Sequence, residues 1–333
     1  DTVEDFLGLI RGVPKELAEE VGTTEEKLVG LYNAALASVM PVMTPAQIDA
    51  VMAETYALGM ELTAPPPTDA ALDEAVERVG PPAAAPSAGP AATTAPAARL
   101  SLIDPQMPAI RDQGNRGTCV AFATVAVLEY VTGCAHGTLA DLSEQCLYWN
   151  IKRTDNYSRD GTWLQFAFPL AQRDGVCLET SWPYEGDVRP NDLTHGGPPD
   201  PQACSAEAVG YRFSRSIRLN QYQQPDVIKA ELRQGRPVAV AIPVFKTWYD
   251  SPTVREFGNI VLPLKSDRFA VGGHAIVLVG FEDDPGSPGG GYFIVRNSWG
   301  DRWGTESPYT PGYGTLPYGY IAKYNADAWT GEG

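Results

Sequence analysis

Residues 108–130 read PAIRDQGNRGTCVAFATVAVLEY, and the stretch changes character at Cys119. Before it lies a polar, glycine-containing turn. From Cys119 through Val131 the residues are small, apolar and helix-compatible, so Cys119 is expected to open a buried helix. A thiol attacks a carbonyl as its thiolate, and the unpaired amides and dipole at a helix N-terminus stabilise that anion. Gln113 lies six residues upstream. Its side-chain amide can aim at the same point as the backbone N–H of Cys119, and the two donors together can form an oxyanion hole.

A thiolate of this kind needs an imidazole partner, and the chain has three histidines: His136, His195 and His274. His136 sits in CAHGT, at an expected helix end. His195 lies in a loop rich in Pro, Gly and Asp. His274 begins an apolar run in GGHAIVLVGFE, residues 272–282. The glycines before it permit close approach of backbone and substrate. The next apolar run carries RNSWG, residues 296–300. There Asn297 can accept the imidazole N–H and Trp299 can shield that bond from water. Alone, the same pair also reads as a turn asparagine before a core tryptophan.

Taken together, Gln…Gly…Cys-x-Ala-Phe, Gly-His-Ala and Asn-Ser-Trp-Gly resemble the signatures of the papain family of cysteine peptidases, across about residues 100–325. His274 follows Cys119 by 155 residues and Asn297 by 178. Both exceed the family's usual range of about 130–150, which implies insertions. LSEQ (Leu142 to Gln145), Gly161 in DGTW and WPY (Trp182 to Tyr184) resemble further landmarks. There are two departures: Arg116 stands where a cysteine is common and Val120 where a tryptophan is common. One familiar disulfide is therefore missing, and the chain looks more like divergent bacterial members than plant or lysosomal ones.

The resemblance implies an α+β, two-lobed papain-like fold, with a helical left lobe, an antiparallel β-barrel-like right lobe and a cleft between them. It implies a cysteine peptidase: Cys119 as nucleophile, His274 as base, Asn297 orienting that base, and Gln113 with the Cys119 N–H at the oxyanion. Hydrolysis would pass through a thioester, with protein or peptide substrates and no metal or organic cofactor. Gly161, Thr162, Trp163, Gly273, Ala275 and Trp299 are expected at the substrate cleft, with pocket walls near Trp163, Ala275 and Leu316. Two alternatives stay open: a catalytically silent binding protein on this fold, and an acyl-transfer enzyme (ligase or transamidase) on the same scaffold.

The rest of the chain divides by composition. Residues 1–63 carry 3 basic and 11 acidic side chains. Capping signals at Thr23/Glu26 and Thr44/Gln47, followed by periodic apolar residues ending at Met60, predict a small three-helix unit. Residues 64–98 are rich in Pro, Ala and Thr and read as a linker, with Ala70 to Val79 transiently helical. As a coil its 35 residues span about 30 Å, and stretched roughly 100 Å, enough for the N-terminal unit or the linker to touch the cleft and hold an enzyme latent. Residues 99–333 read as the catalytic domain. Helices are expected at Cys119–Val131, Leu142–Asn150 and Leu164–Arg173. Strands are expected in PVAVAIPVF, HAIVLVGFE, YFIVRNSW and YGYIAKY, in that order.

The net charge of −16 disfavours nucleic acid and anionic membrane surfaces as partners. No apolar run approaching the ~20 residues of a membrane span is evident. The opening DTVEDF lacks the basic and apolar parts of a signal peptide. Ala18, Gly22 and Leu28 match helix-turn-helix spacing, which the acidic charge opposes as a DNA-binding element. Five cysteines, Cys119, Cys134, Cys146, Cys177 and Cys204, leave four besides the candidate nucleophile. The spacing does not fix connectivity, and some of the four also read as ordinary buried thiols. Cys177–Cys204 is favoured, with Cys134–Cys146 as the other pair, and a bridge gives a weak lean towards a secreted, oxidising location.

Overall fold

The structure, a computed structural model, describes residues 58–61, 76–79, 99–103, 107–187, 196–263 and 270–333. The helical unit expected over 1–63 apart from residues 58–61, most of the linker and His195 lie outside the described residues.

Three helices build one lobe. Helix α1 spans Cys119–His136, α2 Glu144–Lys152 and α3 Leu164–Arg173. The sequence explains each boundary. Ser143 caps α2 by accepting the amide of Cys146 at 3.0 Å, and Gly137 ends α1 in the left-handed conformation at φ 75°, which glycine adopts without a Cβ penalty. Helix α1 is an 18-residue segment of mean hydropathy 1.4, long and apolar enough by composition to cross a membrane. The expectation that no such run exists therefore needs correcting. Since 83% of it is buried inside the lobe, α1 is here a core helix. A fourth, short helix, α4 (Pro201–Ala208), lies over this lobe with Asp200 as its cap.

The second lobe is a sheet. Its strands are β1 (Val76–Val79), β2 (Arg99–Ser101), β3 (Arg215–Leu219), β4 (Val238–Val244), β5 (Gly272–Asp283), β6 (Gly291–Arg296), β7 (Tyr313–Pro317) and β8 (Asp327–Glu332). The order is β1-β3-β8-β4-β5-β6-β7, with β2 added to β5. All pairings are antiparallel except that of β1 with β3. The central strand β4 is buried along its whole length, as its unbroken apolar run dictates. Helix α5 (Pro225–Arg233) packs on the sheet. Four-residue helices α6 (Thr247–Asp250) and α7 (Pro252–Arg255) follow β4.

Three expectations need correction. YGYIAKY is a helix, α8 (Tyr318–Tyr324), not a strand; its buried aromatics pack on the sheet core, between strands β7 and β8. Residues 76–79 of the expected linker form strand β1 on the outer edge of β3 rather than a transient helix. Met60, read as the end of a helix, is extended and bridges two segments of the cleft.

Candidate active site

The site lies where the N-terminus of α1 meets the start of β5. Cys119 is the first residue of α1 and His274 the third of β5, and both are fully buried. The backbone N–H of Ala275, next to His274, donates to Cys119 Sγ at 3.4 Å, so thiol and imidazole are neighbours across the interface of the lobes. His274 Nε2 donates to Asn297 Oδ1 at 2.8 Å. That oxygen also accepts the Ser298 amide at 2.8 Å. With Nε2 engaged, Nδ1 is left as the ring's proton acceptor, and it has no hydrogen-bond partner among the described residues. Trp299 stacks on the ring of His274 with centroids 4.6 Å apart and planes 24° apart, and Trp248 meets that ring edge-on at 6.3 Å. The indole of Trp299 is 1% exposed, so water is kept from the His274–Asn297 bond.

Gln113 is brought to the same place by a backbone zipper. Its amide donates to Ser298 O at 2.9 Å, and Gly300 N donates to Arg111 O at 3.1 Å. The Gln113 side chain is fixed at both ends, with Nε2 donating to Arg116 O at 2.9 Å and Oε1 accepting from Ser298 Oγ at 2.6 Å. Gly117 N, beside the head of α1, donates to Asp160 Oδ2 at 2.6 Å. Four residues from three distant stretches are thus assembled: Gln113, Cys119, His274 and Asn297. Among the described residues no group of three or more His, Cys, Asp or Glu side chains is placed to hold a metal ion.

A family model described as papain family cysteine protease matches residues 102–314. The chain belongs to the papain family. An uncharacterized peptidase C1-like protein of Acanthamoeba polyphaga mimivirus is 28% identical over 229 residues, covering 66% of this chain and 68% of that protein. Cysteine proteinase COT44 of Brassica napus is 29% identical over 204 residues, covering 60% and 54%. This chain spans about half the length of most of the curated relatives it matches. Among solved structures, xylellain, a cysteine protease from Xylella fastidiosa, superposes with a TM-score of 0.61 at 23% identity over 84% of this chain and 96% of that one. Digestive procathepsin L 3 of Tenebrio molitor larval midgut gives 0.55 at 20% identity over 85% and 78%.

Within the papain family this chain departs at Arg116, and the structure supplies the reason. The guanidinium is 1% exposed and donates to Gln145 Oε1 and to Glu185 O, each at 2.7 Å. It also lies over the rings of Tyr148 and Tyr184 at 5.0 and 5.1 Å, a cation–π arrangement. A directional polar clamp thus holds the turn before the nucleophile. Sequence reasoning noted the residue and missed the role. It also missed Ser298, which sits inside the quoted RNSWG motif between the two residues that were singled out.

The cleft itself is occupied by the chain's own segment Leu58–Glu61. Met60 N donates to Gly273 O at 3.1 Å, Glu61 N to Thr162 O at 3.0 Å, and Thr162 N to Gly59 O at 2.9 Å. Met60, Trp163 and Ala275 share one core cluster with Cys119, and the Glu61 side chain lies against Gly161. The expected cleft residues are therefore gathered here, except that Trp299 sits behind His274. Leu316, expected at a pocket wall, points instead into the separate sheet core.

Burial sets the electrostatics of the pair. Burial pushes the Cys119 thiol up to about 12 and holds His274 down to about 4. The backbone amides of Ala275 and Gly59 pull the thiol back only in part. Charged forms lose hydration when buried, so burial favours the neutral form of each group.

Proposed function

We propose that this papain-family chain is a cysteine peptidase held latent by its own segment Leu58–Glu61. The reading is supported above all by the Ala275 amide on Cys119 Sγ, next to an imidazole whose far nitrogen bonds Asn297. In the open enzyme the proton of Cys119 passes to His274 Nδ1. The thiolate then attacks the peptide carbonyl, while the Cys119 N–H and Gln113 Nε2 hold the oxyanion. His274 protonates the leaving amine and then activates water to split the thioester. Residues 99–333 carry this chemistry and the preceding chain supplies the cover, with Val76–Val79 tethering it to the edge of β3.

The cover is not presented as a substrate. The backbone of Gly59 lies beside Cys119 Sγ and favours its thiolate, so the sulfur meets an N–H where a reacting peptide must present its carbonyl carbon. Only glycine fits there, because a Cβ on Gly59 would overlap the Gly117 carbonyl. The test uses the full chain and a fluorogenic peptide. Gly59→Ala is expected to raise turnover at least about tenfold over the parent, and adding Cys119→Ala to that variant to abolish it, a loss of about 10⁴-fold or more. Full activity in the double variant would refute Cys119 as nucleophile. Unchanged activity in Gly59→Ala would refute latency alone.

A further inference from the structure

Away from the cleft, three segments of the helical lobe converge on sulfur. Cys146 is the third residue of α2, its amide capped by Ser143 Oγ. Cys177 follows in the strand-like segment after Gly175. Its carbonyl accepts the Ser143 amide at 2.9 Å, and the neighbouring Leu178 bridges Leu142. Cys204 comes from α4. That helix is pinned to the same segment, because Glu207 accepts from Leu178 N at 3.2 Å and from Ser181 Oγ at 2.7 Å, and Val176 N donates to Tyr211 O at 2.9 Å. The approach is close enough that a Cβ on Gly175 would overlap the Ala208 carbonyl. Cys146, Cys177 and Cys204 are 5%, 0% and 5% exposed. Each thiol lies close enough to its neighbour to interact with it, Cys146 with Cys177 and Cys177 with Cys204, and the Cys177 backbone lies beside the Cys146 sulfur. The peptidase reading uses none of these residues.

The expected pair Cys134–Cys146 does not fit this arrangement. Cys134 is exposed near the end of α1 and interacts with Tyr130, whereas Cys146 is buried against Cys177. None of the five cysteines is disulfide-bonded in the structure.

We propose that Cys146, Cys177 and Cys204 form a disulfide-exchange site, with Cys177 as the hub that pairs with either neighbour. Cys204 lies on a helix whose other residues, Ala208 apart, are exposed or half-buried. The oxidant is a low-molecular-weight disulfide such as oxidised glutathione. The Cys204 thiolate attacks one of its sulfurs, forming a mixed disulfide and releasing one glutathione thiolate, which takes up the proton. The Cys177 thiolate then attacks the Cys204 sulfur and releases the second glutathione. In sum the protein loses two electrons and two protons, and one glutathione disulfide becomes two thiols. Cys146 can next attack the Cys177 sulfur with Cys204 leaving as thiolate, an exchange with no net redox change. Cys146 is suited to attack because the first-turn amides of α2 and the Cys177 N–H stabilise its thiolate.

The test is made on the full chain in a Cys119→Ala background, incubated to equilibrium with oxidised glutathione, alkylated after denaturation and mapped by mass spectrometry without reduction. Two bridged species are expected, Cys146–Cys177 and Cys177–Cys204, each with the third thiol alkylated and neither containing Cys134. Cys204→Ser should keep the first bridge, Cys146→Ser the second, and Cys177→Ser neither. Closing loops of this length should raise the thermal midpoint by roughly 5–10 °C over the phosphine-reduced protein. If all three cysteines remain alkylatable after oxidation, the site is refuted. If only one bridge forms in the chain with all three cysteines, exchange through Cys177 is refuted. Neither result bears on Cys119 as nucleophile.

Discussion

The surroundings of the cysteine and those of the histidine are held by different means. In the helical lobe, ions are buried and paired. Arg111 bonds Glu129 and Glu144 at 2.7 Å and also reaches Asp141; Arg116 clamps Gln145; Lys152 meets Asp155 at 2.9 Å. In the sheet lobe, the surroundings of His274 are aromatic. Trp299, Trp248, Trp303 and Tyr249 pack around one another, with ring centroids 5.9 to 6.3 Å from Trp299. Hydrogen bonds and ion pairs fix direction, which suits a turn that must aim a thiol and an amide at one point. Apolar packing excludes water, which suits a hydrogen bond that must orient a neutral ring. Substitutions in the two lobes should therefore fail differently.

The largest effect is expected in the aromatic lobe. Trp299→Ala should remove about 3–5 kcal/mol of stability and also expose the His274–Asn297 bond, which denaturant unfolding and peptide turnover in the Gly59→Ala background would report together. A loss of stability with turnover intact would break the assignment of Trp299 as the shield. Next comes the acid limb of stability. The folded pKa of His274 is depressed to about 4, below an unfolded value near 6.5. The unfolded chain thus binds more protons between these values. The contribution is fully present above about pH 6.5 and is lost as pH falls towards 4, amounting to about 3 kcal/mol. His274→Gln should flatten that limb relative to the parent, read as the difference between their unfolding free energies at pH 7 and pH 4. The smallest effect belongs to the polar lobe. Arg116→Met keeps the bulk and removes a buried charge but leaves the acceptors on Gln145 and Glu185 unpaired, so stability should fall by about 2 kcal/mol. Turnover should nevertheless fall roughly tenfold with KM little changed, because Gln113 is anchored on the Arg116 carbonyl. Equal losses in stability and turnover would erase the contrast between the lobes.

The same contrast explains what was readable in the sequence. Periodic apolar runs placed α1 to α3 and β4 to β6 because each buries one continuous face or strand. The motif residues Cys119, His274, Asn297 and Gln113 were legible because their neighbours are short-range. YGYIAKY misled because its β-branched and aromatic content is shared by helices that lie flat on a sheet. Arg116 was opaque because its partners, Gln145 and Glu185, lie 29 and 69 residues away. Nothing local marks Leu58–Glu61 as a cleft strand, since its backbone–backbone hydrogen bonds go to Thr162 and Gly273, more than 100 positions downstream. The cluster around Cys177 was half seen: its link to Cys204 was expected, its link to Cys146 was not.

The most direct test is the pH dependence of alkylation at Cys119, followed by mass spectrometry in Gly59→Ala and in Gly59→Ala with His274→Ala. With the imidazole present, a thiolate–imidazolium pair should keep Cys119 reactive well below pH 7. Without it, the rate should follow an isolated thiol with a midpoint near or above about 8.5. Identical profiles in the two proteins would contradict the pairing of Cys119 with His274.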